Sequence, residues 1–188
     1  MQHTESARGW GLAIIIVHWL TALVVFGMFA SGLWMVGLNY YSSWYKTAPF
    51  LHKSVGILLL LVTLLRIVLR LKSSRPVRYG PRKAQYLASV VHIVIYVLLF
   101  ALFFSGYLIS TADGRGIDVF GWFSVPALGQ LFENQEDVAG DIHFYVAWTL
   151  IGLVCVHALG ALKHHFLDKH PTLKLMLGLQ SQVGEKGE

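Results

Sequence analysis

Residues 143–157 read HFYVAWTLIGLVCVH, a run that begins and ends on histidine with no charged residue between. Positions 14 apart on an α-helix differ by about 40° in azimuth and about 21 Å along the axis. His143 and His157 therefore share one helix face, one near each edge of a hydrocarbon layer about 30 Å thick. Extended outward, the apolar stretch covers about Ile142 to Phe166, enough for the roughly 20 helical residues that a membrane crossing needs. An ionisable side chain inside such a span is costly. It signals function, unless it serves only as a hydrogen-bond partner for a neighbouring helix.

The rest of the chain has the same character. Its 188 residues are 55% hydrophobic and 13% charged, with a mean hydropathy of +0.58. A soluble domain carries about 25% charged residues. The composition excludes a nucleic-acid-binding module, a disordered chain and most soluble enzymes, and it marks an integral membrane protein surrounded by lipid. Three more spans are expected at about Gly11–Gly37, Leu51–Leu71 and Ala84–Ser110. The unbroken runs Gly56–Leu65 and Ile93–Phe104 lack the alternation of barrel strands. The first span is too long for a signal-peptide core and no small-residue cleavage site follows it, so it stays a helix. The expected fold is all-α: a single-domain, up-and-down, four-helix membrane bundle with a C-terminal tail at 167–188, frayed beyond Gly178.

Charges orient it. The segment joining spans two and three, with its helix ends, holds Arg66, Arg70, Lys72, Arg75, Arg78, Arg82 and Lys83. The C-terminal segment adds Lys163, Lys169, Lys174 and Lys186, and Arg8 precedes the first span. The other side has only Lys46, Lys53 and Arg115, set against Asp113, Asp118, Glu133, Glu136, Asp137 and Asp141. The positive-inside rule puts both termini and the second connection in the cytoplasm. Tyr40, Tyr41, Trp44 and Tyr45 either anchor at the outer interface or line a docking surface or substrate entrance there.

Depth pairs the histidines. His52 opens the second span level with His143. His18 lies about 10 Å into the first span from the cytoplasmic side, nearly the depth of His157. Two neutral imidazoles facing each other across a helical bundle make a bis-axial haem site. The single cysteine, Cys155, excludes an internal disulfide and covalent haem attachment, so the haems would be b-type. Cys155 itself reads as a small buried hydrophobe. Zinc is the competing metal, but a closed zinc site needs about four ligands at one point, which two separate pairs do not supply. Iron with both axial positions filled does outer-sphere electron transfer. Two haem b groups stacked across the bilayer would carry electrons from one face to the other.

Other residues leave alternatives open. Arg66 falls near the inner level, where it pairs with a haem propionate or snorkels to the interface. His92 also lies near that level. It either replaces His18 or His157 as a ligand or hydrogen-bonds a propionate or a neighbouring helix. His164 and His165, at the inner interface, either donate to a quinone carbonyl and exchange a proton or form a cationic cluster. Gly27, Gly32, Gly56, Gly106, Gly152 and Gly160 admit a macrocycle or simply pack helices. His3 and His170 read as solvent-exposed.

The motifs V-H-W at 17–19, L-H-K-S-V-G-I at 51–57, H-I-V-I-Y at 92–96 and the pair His143/His157, with A-L-K-H-H-F-L-D-K at 161–169 and T-L at 172–173, resemble the bacterial cytochrome b561 family. More broadly, the pattern is similar to the four-helix cytochrome b subunits of hydrogenases and formate dehydrogenases. The resemblance covers about residues 10 to 176. It implies a dihaem b cytochrome of the bacterial inner membrane that exchanges electrons with ubiquinone. It also implies axial pairs His18/His157 and His52/His143, the pairs that depth gives. One branch of the family oxidises superoxide at the periplasmic face and reduces quinone, whereas the larger subunits take electrons from a partner dehydrogenase. Superoxide is an anion, and the acidic outer loop suits a basic redox partner better. Three functions stay in view: a carrier between a periplasmic donor and quinone, a superoxide:ubiquinone oxidoreductase, and a haem-free proton-relaying transporter or assembly factor.

Overall fold

Long apolar runs in lipid must satisfy their backbone polar groups internally, which makes each of them a helix. In the computed structural model, which describes residues 10–73 and 80–179, these are α1 (Leu12–Val36), α2 (Thr47–Lys72), α3 (Arg82–Thr111) and α4 (Gln135–Phe166). Their 25, 26, 30 and 32 residues are long and apolar enough to cross a membrane. The chain is an all-α membrane four-helix bundle. Charge at the helix ends follows the macrodipole: Glu136 and Asp137 sit in the first turn of α4, Arg70 and Lys72 in the last turn of α2. The tail beyond Gly178 that the sequence expects to fray, along with His3, Arg8, Arg75, Arg78 and Lys186, lies outside the described residues, apart from Leu179.

Within the bundle α1 packs closely on α2 and α3 on α4, and the gap between these two hairpins is filled more loosely. At mid-height one residue from each helix meets in an aliphatic layer of Val25, Leu59, Leu99 and Leu150. The outward faces are unpartnered and greasy, as lipid contact requires: Leu23 is 73% exposed and Phe104 63%. Short hydroxyls fill the helix contacts. Thr21, Thr63, Ser105 and Thr111 are buried, and each donates to a carbonyl one turn back, which lets a polar group sit between helices without an unmet bond. Cys155, read as buried, is exposed on the outer face of α4. A thiol is apolar enough to face lipid.

The outer side holds more structure than hydropathy suggests. A hairpin of β1 (Ile117–Val119) and β2 (Phe123–Val125) pairs antiparallel, with Val119 opposite Phe123. Its turn places Phe120 and Gly121 at positive φ (53° and 72°) and closes with Trp122 N–H donating to the Val119 carbonyl at 2.9 Å. Val119 and Ile117 are buried against α2. Ser54 clips the hairpin there: its hydroxyl donates to the Asp118 carbonyl (3.2 Å) and accepts from Phe120 N–H (3.3 Å). Three-residue strands carry too short an alternation to stand out beside four apolar spans.

Helix α4 starts at Gln135, ahead of the expected residue 142, because Gln135 is an anchor. Its side chain is 1% exposed. Oε1 accepts from Leu131 N–H (2.7 Å), and Nε2 donates to the Leu108 carbonyl (2.9 Å) and towards that of Gly129 (3.4 Å). One amide thus ties the outer loop to the end of α3. Helix α2 likewise starts at Thr47, before the expected residue 51. At the other end, the region read as tail forms α5 (Thr172–Met176), which turns back under the bundle: Leu175 is buried and Trp19 Nε1–H donates to the Met176 carbonyl at 2.8 Å.

Replacing Gln135 by leucine strands three backbone groups in a dry site. The expected cost is about 1–3 kcal/mol of stability, read as a lower Tm of the detergent-solubilised protein with its visible spectrum unchanged. An unchanged Tm would show that the loop is held elsewhere.

Candidate functional site

The interior of the bundle is built from residues seven apart. From the aliphatic layer, one heptad towards the outer hairpin reaches Gly32, His52, Gly106 and His143 on α1 to α4. One heptad the other way reaches His18, Arg66, His92 and His157. Seven residues rotate a helix by only about 20° short of two turns, so all three layers face the same interior. The outer and inner layers are about 21 Å apart along the helices.

In the outer layer His52 and His143 face each other from α2 and α4, ring centroids 6.5 Å apart and planes at 68°. Each ring is held by the hairpin partner of its own helix. The His52 Nδ1 lies 3.1 Å from Ser31 Oγ of α1, and the His143 Nδ1 lies 3.0 Å from Ser105 Oγ of α3. Ser31 Oγ also lies 3.0 Å from the Met28 carbonyl and Ser105 Oγ 2.7 Å from that of Ala101. With each hydroxyl proton given to its own helix, the serine oxygen accepts from Nδ1–H, the tautomer that leaves Nε2 free. The next residue along is a glycine in each case. A Cβ on Gly32 would stand 3.4 Å from His52 Cε1, and one on Gly106 would stand 3.2 Å from His143 Cε1. The repeated Ser-Gly step, at 31–32 and 105–106, lets each ring lie against its neighbouring helix.

This geometry fits bis-axial iron. Two imidazoles on one metal, each bonded at about 2 Å through Nε2, have ring centres about 6 Å apart. The Nδ1–H···Oγ bonds are the outer partners that orient such ligands and raise their basicity. The repeated Ser-Gly step is a signal that the sequence carried and that hydropathy and histidine depth alone did not use.

The inner layer is more crowded. His18 and Arg66 face each other from α1 and α2, with Arg66 Nη2 2.6 Å from His18 Nδ1. His92 and His157 lie edge to face at 5.0 Å from α3 and α4. His18, Arg66, Arg70, His92 and His157 are all near enough to interact electrostatically. The Arg66 guanidinium also stands over the Tyr96 ring at 5.6 Å. Among the described residues no carboxylate forms a salt bridge with Arg66. The Tyr96 hydroxyl is buried without a hydrogen-bond partner. A cation lacking an anion and an orphaned hydroxyl at one depth are the marks of a site that accepts a charged group.

Beyond the inner layer, His164 gives its Nδ1 to Asp168 Oδ2 at 2.6 Å, and Lys163 Nζ reaches the same oxygen at 2.8 Å. These two hydrogen bonds, Lys163 first, hold the Asp168 carboxyl below the usual carboxylate range. His165 Nδ1 is buried and unpartnered. His170, read as solvent-exposed, is half-buried and stacks on His164 at 6.0 Å; the left-handed turn at Lys169 (φ 55°) folds it back. A cavity of about 400 Å³ opens beside His165, Lys169, His170, Pro171 and Lys174.

Comparison with known proteins agrees with this architecture. The family model described as prokaryotic cytochrome b561 matches residues 9–179. The chain is 48% identical over 184 residues to cytochrome b561 homolog 2 of Escherichia coli K12, covering 96% of this chain and 97% of that protein. It is 28% identical to cytochrome b561 homolog 1 of the same organism, over 87% of this chain and 93% of that one. To a Yersinia pestis protein named probable superoxide oxidase CybB it is 29% identical, over 86% of this chain and 91% of that one. The chain belongs to the prokaryotic cytochrome b561 family, and is a multi-pass inner-membrane cytochrome b that carries electrons on haem b.

Proposed function

We propose that this protein holds two haem b groups, one at each histidine layer, and passes electrons between a periplasmic donor and ubiquinone. The observation that carries the reading is the outer pair: two imidazoles, each bonded through Nδ1 to a serine, facing each other at 6.5 Å. Haem b held between two imidazoles has no vacant iron position and supplies one-electron transfer.

For the inner layer the ligands are His18 and His157. Helix packing supports this choice over His92. Helices 8–10 Å apart leave no room for a macrocycle, and His92 and His157 sit on the closely packed pair α3 and α4. His18 and His157 lie across the looser gap, as His52 and His143 do. His92 is then a neighbour at the same level. Arg66 pairs with a propionate, which answers its missing anion. With both termini cytoplasmic, the inner layer faces the quinone exchange site. There His165 lines the 400 Å³ cavity, and His164, bonded to Asp168 through Nδ1, keeps its Nε2; either imidazole can bond a quinone carbonyl.

The donor divides two readings. The name of the Yersinia pestis relative supports superoxide oxidation. The acids of the outer loop, Asp113, Asp118, Glu133, Glu136, Asp137 and Asp141, against Lys46, Lys53 and Arg115, support a basic partner protein.

Pyridine haemochrome assay of the purified protein is expected to give two b haems per chain. His157→Ala should halve that content and His92→Ala should leave it intact; loss of haem in His92→Ala, or full retention in His157→Ala, would overturn the inner assignment. The donor is read from salt dependence. Mixed rapidly with superoxide, the oxidised protein should be reduced well below the diffusional ceiling of about 10⁸–10⁹ M⁻¹s⁻¹, and faster as ionic strength rises, because screening relieves repulsion. A rate near the ceiling that falls with salt would instead establish local steering by Lys46 and Lys53.

A further inference from the structure

The cluster at the end of α4 lies outside both histidine layers. His164 is one heptad beyond His157, about 10 Å further along the helix. The chain then makes a left-handed turn at Lys169, a residue without glycine's freedom in that region. The turn lets His170 N–H donate to the His164 carbonyl at 2.9 Å and lays the two rings parallel, 15° between planes. Asp168 stands beside them. One donor atom from each of His164, Asp168 and His170 lies within 4.8 Å of the other two.

We propose that His164, Asp168 and His170 bind a zinc ion at this end of the bundle. Two imidazoles and one carboxylate form a mixed donor set suited to a divalent transition metal, and zinc commonly takes three protein ligands plus a water. The ion takes the place of the proton now shared by His164 Nδ1 and Asp168 Oδ2, and that proton leaves to solvent. Lys163, which now reaches Oδ2 at 2.8 Å and Oδ1 at 3.1 Å, yields Oδ2 to the ion and keeps Oδ1. Bonds of about 2.0–2.2 Å put the ligand atoms of a tetrahedral zinc about 3.3 Å apart, against a span of at most 4.8 Å for the three donors here. The ion would clamp the turn that carries α5, and so the contacts of Leu175 and Met176 beneath α1. It would also occupy one wall of the cavity, since His170 lines it.

The test uses the purified, full-length, haem-loaded protein with any affinity tag removed. After chelation and dialysis against Zn²⁺, metal per chain is counted by mass spectrometry. The expected result is one zinc per chain, with affinity falling by about tenfold or more in Asp168→Asn and in His170→Ala. Lys174→Ala, which lines the cavity but offers no ligand, should bind as the parent does. The haem spectrum of each variant reports whether it is folded, and His170→Asn serves as the milder second variant. Zinc should also raise the Tm of the parent and not that of His170→Ala. Absence of stoichiometric zinc in the parent, or equal affinity in the two ligand variants, would overturn the site. Either result leaves the haem count, and with it the electron-transfer reading, to stand or fall separately.

Discussion

A polar side chain between helices in hydrocarbon finds no water, so its bonding must be completed by the bundle or by something the bundle binds. Most of the interior here completes itself. Thr21, Thr63 and Thr111 return their hydroxyl protons to their own helices. Ser31 and Ser105 do the same while accepting from histidine. The serines thereby hold the outer imidazoles in orientation through Nδ1. Such preorganisation lowers the ordering that binding would otherwise demand.

Among the described residues the unmet groups are not scattered. There Arg66 without an anion and Tyr96 without a hydrogen-bond partner belong to the inner half of the bundle, and His165 lies just below. The two ends of the protein thus differ: the outer pair of imidazoles is held through serines, while the inner set gathers histidines around a cation. The tilt follows from composition. The inner layer spends an arginine and three histidines where the outer layer spends two histidines and two glycines.

Much of this was legible in the sequence, because hydropathy and depth are coarse quantities that survive without coordinates. Four apolar runs gave the helices, and counting residues from each membrane edge put His52 level with His143 and His18 level with His157. Finer features rested on contacts that no local pattern announces. The early start of α4 depends on Gln135 finding three partners across the outer loop. The hairpin depends on Ser54, a residue inside a transmembrane helix. His170 reads as exposed because it follows the last span, yet a single residue at positive φ folds it onto His164. The contact of His92 with His157 was also hidden, since depth places a residue at a level but does not say which neighbour it meets.

The aliphatic layer of Val25, Leu59, Leu99 and Leu150 lies midway between the two histidine layers. A separation of about 21 Å is roughly two-thirds of the membrane's dielectric thickness. An electron crossing it therefore moves through about that share of the transmembrane voltage, worth about 1.5 kcal/mol at 100 mV, or about tenfold in the equilibrium. In the proposed orientation an inside-negative potential opposes inward transfer. The same four side chains that close the core would make this protein's electron balance a reporter of how strongly its membrane is energised.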